Sequence, residues 1–81
     1  MKDIRINIIS FQTGEIHQFS MENKSESATI AKLKREYNKM IFSESDEFLF
    51  EIVDYDSDIT LVKSKNIKDT IIEIKNVYKE T

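Results

Sequence analysis

Ile4-Arg5-Ile6-Asn7-Ile8-Ile9-Ser10-Phe11, then Gln12-Thr13-Gly14-Glu15, then Ile16-His17-Gln18-Phe19-Ser20-Met21, is the stretch that decides the fold class. Ile4, Ile6 and Ile8 alternate with Arg5 and Asn7, the period of a strand with one face buried. Gly14 is the only glycine of the chain. At this point it suits a hairpin turn with one left-handed residue, a type I turn plus bulge. The second arm places His17, Phe19 and Met21 on one face and Gln18 and Ser20 on the other. Ile16 interrupts the alternation and leaves the register beside the turn open.

Working outward, residues 22–28 are polar and predict a loop. Thr29 offers an N-cap oxygen, with Ser27 as competitor. Ile30, Leu33, Tyr37 and Met40 or Ile41 then recur at spacings of three and four, which predicts a helix of about three turns. Lys32, Arg35, Glu36 and Lys39 fall outside that stripe, and the acidic stretch Ser43 to Glu47 ends it. Phe48-Leu49-Phe50-Glu51-Ile52-Val53 predicts a third strand, with Phe48, Phe50 and Ile52 inward and Leu49, Glu51 and Val53 outward. An acidic turn over residues 54–58 leads to a short strand at Thr60-Leu61-Val62. After a polar connection around Asn66-Ile67, residues 70–78 are expected to form the last strand. Ile72 and Ile74 would face inward there, and Glu73 and Lys75 would face water. The expectation is one α+β domain over residues 1–81, a mixed four- to five-stranded sheet packed on one helix. No internal repeat or low-complexity segment interrupts it.

Composition narrows the chemistry. Eighty-one residues, 40% of them apolar, fit a single modest core. With no cysteine there is no disulfide, no thiolate metal site and no cysteine nucleophile. An intracellular, cytoplasmic location is the expectation. Met1-Lys2-Asp3-Ile4-Arg5 holds no apolar run, so no signal peptide is predicted, and no stretch is apolar enough for a membrane partner. Asn23-Lys24-Ser25 matches a glycosylation sequon and is read as chance. A net charge of -3 argues against nucleic acid. The charge is nevertheless uneven. Lys32, Lys34, Arg35 and Lys39 gather mid-chain, and Glu44, Asp46, Glu47, Glu51, Asp54, Asp56 and Asp58 follow.

Taken in order, these segments resemble the ubiquitin-like, β-grasp family over nearly the whole chain. Thr13-Gly14-Glu15 followed by Phe19 and Met21 looks like ubiquitin's first hairpin. Thr29-Ile30-Ala31-Lys32-Leu33-Lys34 is similar to the start of its helix. Phe48-Leu49-Phe50 stands where ubiquitin has an apolar strand, and Thr60-Leu61 with Asn66-Ile67 resembles the stretch before its last strand. The resemblance implies a protein-binding domain without a cofactor, an adaptor rather than an enzyme. It implies a binding face at the outward positions Leu49, Glu51 and Val53 of one strand and Glu73 and Lys75 of another. Charge occupies much of that face, so the partner is expected to differ from ubiquitin's receptors. The sequence ends Lys79-Glu80-Thr81 without the paired glycines of the conjugated relatives, so a covalent modifier or sulfur carrier is the less favoured alternative.

Signatures of catalysis and of metal binding are incomplete in this sequence. His17 is the only histidine, so no His-His or Cys-His metal set exists, and a structural role is preferred for it. Asp54-x-Asp56-x-Asp58 is similar to the start of an EF-hand loop, but the glycine of the bend is missing and Lys63 to Lys65 lie near the place of the closing glutamate. One glycine cannot make a phosphate loop. Tyr55-Asp56-Ser57-Asp58 also loosely resembles the acidic motif of Phox-and-Bem-type domains, which dock on a basic cluster. That resemblance implies an alternative acidic face of Asp54, Asp56 and Asp58, with Lys32, Lys34, Arg35 or Arg5 opposite and weak self-association as a consequence. Pairing of Lys34 with Asp56 or Asp58 inside one molecule is the plainer expectation.

Overall fold

The computed structural model describes residues 2–80. Strands β1 (Lys2–Ser10) and β2 (Ile16–Lys24) precede helix α1 (Glu26–Met40). Strands β3 (Phe48–Asp54) and β4 (Thr60–Ser64) then lead into helix α2 (Ile67–Lys79). The four strands lie in the order β2-β1-β3-β4, and every neighbouring pair is antiparallel. β2 and β3 therefore run the same way on either side of β1, and α1 is the crossover between them. Both helices cover one face of the sheet, α1 beside β2 and α2 beside β3 and β4, and they pack on each other.

The first hairpin closes as its residues dictate. Ser10 N–H donates to the Glu15 carbonyl at 2.9 Å, and Gly14 N–H donates to the Ser10 carbonyl at 2.8 Å. Gly14 has φ 74, a conformation that a residue without a Cβ adopts freely. Ile4, Ile6 and Ile8 of the central strand are fully buried. Phe50 and Ile52 of β3, Leu33 of α1 and Ile74 and Val77 of α2 meet them in one cluster. Tyr37 joins from α1, edge-on to Phe48 with ring centroids 5.3 Å apart.

Three expectations are corrected. The sheet is antiparallel, not mixed, and two helices cover it, not one. Residues 70–78, expected as a strand, belong to α2. Asn66 decides this: its Oδ1 accepts the Asp69 N–H at 2.8 Å and its Nδ2 donates to the Asp69 carboxylate at 2.8 Å. From that cap, Ile67, Ile71, Ile74 and Val77 recur at spacings of four and three, a helical stripe under a β-branched composition. The preference of isoleucine for strands is a few tenths of a kcal/mol per residue. Burying Ile74 alone outweighs it by roughly 2 kcal/mol.

Helix α1 also begins earlier than its apolar stripe. Ser25, not Thr29, is the N-cap, and its Oγ accepts from Ala28 N–H at 3.2 Å. Thr29 is instead a buried residue of the first turn. Its hydroxyl meets the Ser25 carbonyl at 3.0 Å and the Tyr78 hydroxyl of α2 at 2.6 Å.

Candidate interaction surface

The face of the sheet opposite the helices carries the outward residues of all four strands. Register places Gln18, Asn7, Glu51 and Lys63 in one row across β2, β1, β3 and β4. The row is joined side chain to side chain. Gln18 Nε2 donates to Asn7 Oδ1 at 2.8 Å, and Asn7 Nδ2 donates to Glu51 Oε1 at 3.2 Å. Lys63 Nζ lies 3.5 Å from Glu51 Oε2. Each cross-strand pair of this kind contributes about 0.2–1 kcal/mol. Their larger consequence is that four polar side chains are held in one ordered row on the open face.

The adjacent row is apolar. Ile9 stands between Ile16 on β2 and Leu49 on β3. Ile16 is 62% exposed, while Ile9 and Leu49 are half-buried. Phe11 continues the strand beyond them, exposed, with its N–H bonded to the Glu47 carbonyl. The open face thus offers an apolar strip beside an ordered polar row.

Of the residues expected at the binding face, Leu49 and Glu51 lie in this surface. Val53 shares their side of β3 but is only 3% exposed, so it offers no contact area. It is paired with Arg5, whose guanidinium bonds to Asp58. Glu73 and Lys75 are elsewhere, on α2 in the helical layer, and cannot join Leu49 and Glu51 on one face. That separation follows directly from the helix at residues 67–79.

The acidic residues form a tight turn. Asp54 Oδ1 accepts the N–H groups of Asp56 at 3.0 Å and Ser57 at 3.2 Å, and these bonds hold its carboxyl below the usual range. Asp58 takes a left-handed conformation, φ 59, donates its N–H to the Asp54 carbonyl and pairs with Arg5. The Asp56 side chain is exposed and bonds to no other group among the described residues. The internal cation of this turn is Arg5 rather than Lys34. Tyr55 on the same turn has its phenol pushed up, by a hydrogen bond with Glu22 and by that carboxylate's charge.

A second polar cluster lies on the flank of α1 above β2. Glu36, only 8% exposed at its side chain, meets His17 Nε2 at 2.9 Å, Lys32 Nζ at 3.2 Å and Lys39 Nζ at 3.4 Å. Burial by itself would raise the Glu36 pKa. Hydrogen bonds from Lys32 and His17 and the nearby charge of Lys39 reverse that effect and hold it at about 2. His17 is thus the partner of a buried carboxylate. No residue pattern in the sequence joins positions 17 and 36. Only the pairing of β2 beneath α1 does so.

Among the described residues, no group of three histidine or carboxylate side chains is arranged to hold a metal ion. No helix among them is long and apolar enough to cross a membrane. Compared with family models, with curated proteins and with solved structures, the chain matches none.

Proposed function

We propose that this chain is a protein-interaction module, and that it docks a partner on the open face of its sheet. The observation that carries this reading is the apolar strip Ile16, Ile9 and Leu49 beside the linked row Gln18, Asn7, Glu51 and Lys63. Among the described residues, the turn after β3 reaches that face only at its far end, where Asp58 pairs with Arg5 beside the buried Val53, and the apolar strip lies at the other end of the strands. In this reading the chain binds and does not catalyse, as an adaptor does. The order hairpin, helix, strand supports a β-grasp-like, ubiquitin-like ancestry, and α2 at the place of a last strand would be this chain's own departure. The acidic-turn alternative draws less support, because Asp54 and Asp58 are engaged inside the turn.

The test compares the unaltered chain with Leu49→Lys, Ile16→Glu and, as a control on the helical layer, Glu73→Lys. Thermal unfolding first shows that all four are folded. In affinity capture with mass spectrometry, the same proteins should be lost by both open-face variants and kept by the control. If Leu49→Lys and Ile16→Glu retain everything the unaltered chain retains, the open face is not the docking surface.

A further inference from the structure

The two edges of the sheet are finished differently. β4 is five residues long, carries a register shift opposite Ile52 and Val53, and has α2 packed against it. Short length, a bulge and a covering helix are the devices by which a sheet edge is made unavailable to further strands. β2 is nine residues long, and its one irregularity is near its end, between the partners of Lys2 and Ile4. Over residues 16–21 it is regular and free of proline.

The hydrogen-bond phase says which groups of β2 are unpaired. Ser10 bonds to Glu15, and bonded pairs in an antiparallel ladder recur at every second residue. His17, Phe19 and Met21 therefore direct their backbone groups at Ile8, Ile6 and Ile4. The Phe11 to Glu47 and Tyr55 to Asp3 bonds on the other side of β1 keep the same phase. The N–H and C=O groups of Ile16, Gln18 and Ser20 point away from the sheet, and no backbone group among the described residues receives them.

Beside this edge runs a basic strip. Lys32, Arg35 and Lys39 follow one another at spacings of three and four on α1. Lys32 Nζ lies 5.9 Å from the centre of the Phe19 ring of β2. Lys32 and Lys39 both bond to Glu36, which in turn bonds to His17 of β2. Lys32 and Lys39 share the carboxylate of Glu36, and Glu15 lines a cleft with Lys39, so three cations meet two carboxylates and the edge keeps positive charge in excess, in a chain whose net charge is -3.

We infer that the β2 edge receives an extended, acidic segment of another protein as a fifth strand. Its main chain bonds to Ile16, Gln18 and Ser20, and its carboxylates face Lys32, Arg35 and Lys39. The same charge disfavours a second copy of this chain as the occupant. Antiparallel pairing of β2 with its own duplicate sets the two α1 helices side by side on one face, with their basic strips opposed. Ile16 and Gln18 serve the open face through their side chains and the edge through their main chain, so the two surfaces are separated by a variant away from β2, Leu49→Lys.

The experiment uses the full chain, labelled for amide NMR, and two blocked synthetic heptapeptides. One alternates valine with glutamate and the other valine with lysine. Addition of the glutamate peptide should protect the amides of Ile16, Gln18 and Ser20 from exchange. Its affinity should exceed that of the lysine peptide by about tenfold at low salt, with the gap closing as salt rises. N-methylation of alternate peptide nitrogens should abolish binding, Arg35→Glu should erase the preference, and Leu49→Lys should leave both intact. Four results would overturn the proposal: equal affinities, no binding by either peptide, slow exchange of the three amides in the free chain, or a dimer in sedimentation that forms through β2.

Discussion

On the covered face of the sheet, Ile6, Ile8, Phe50 and Ile52 are withdrawn from water. One residue along each strand, on the open face, Asn7, Ile9, Leu49 and Glu51 are half-exposed, with Asn7 and Glu51 tied to neighbours by hydrogen bonds. Backbone pairing is common to both faces, so the difference lies entirely in the side chains. The covered face supplies the burial that holds the domain together. The open face supplies little stability and a defined surface. A domain this small has one core, and the face left outside it is free to carry recognition.

The largest break in that comparison is Phe50→Ala. Phe50 is the largest fully buried side chain, and its loss should cost about 3–5 kcal/mol in denaturant unfolding. The same measurement on Leu49→Ala, its neighbour on the opposite face, should show a cost several times smaller.

Glu36→Gln is next. Glu36 belongs to the covered side yet is charged, and it accepts bonds from His17, Lys32 and Lys39. Its removal should cost roughly 1–3 kcal/mol at neutral pH. The pH dependence adds a check. The folded pKa, about 2, is below the ordinary 4.5, so the folded state holds the proton less tightly than the unfolded one. The carboxylate's stabilisation is then complete above about pH 4.5 and lost as pH falls from there toward 2. Acid titration of the unaltered chain should show that loss, and Glu36→Gln should lack it.

Asn7→Ala is the smallest. It removes the centre of the polar row and should change stability by about 0.2–1 kcal/mol. The amide signals of Gln18 and Glu51 should nevertheless shift, because the row loses its link. A cost as large as that of Phe50→Ala would show that the open face shares in the core's stability.

Period-2 alternation made β1, β2 and β3 legible in the sequence, together with their inward and outward sets, because alternation is a local property of the chain. The start of α1 is hidden because Ser25 lies five residues before Ile30, the first residue of the apolar stripe, with Thr29 offering a cap between. The last element was misjudged for a different reason. Ile71, Ile72 and Ile74 look like strand residues one by one, and only the Asn66 cap with the Ile67, Ile71, Ile74 and Val77 spacing marks a helix. That error carried Glu73 and Lys75 onto a face they do not occupy. Leu49 and Glu51 are legible as outward residues because the β3 alternation holds. The row that joins Asn7, Gln18 and Lys63 to Glu51 is not, since it depends on register across three strand pairs. The Glu36 cluster was equally invisible, being made by a helix crossing a strand.

The bond between the Thr29 and Tyr78 hydroxyls joins residues 49 apart in the chain. Thr29 precedes Tyr78 along the chain by that distance, so α1 is made before the helix it packs on and their contact forms only once both are present. Until α2 arrives, Phe50 and Ile52 lack the cover that Ile74 and Val77 give them. The nascent chain therefore passes through an interval with greasy surface showing on the side that is later closed. States in which α2 is undocked are therefore the ones most open to aggregation.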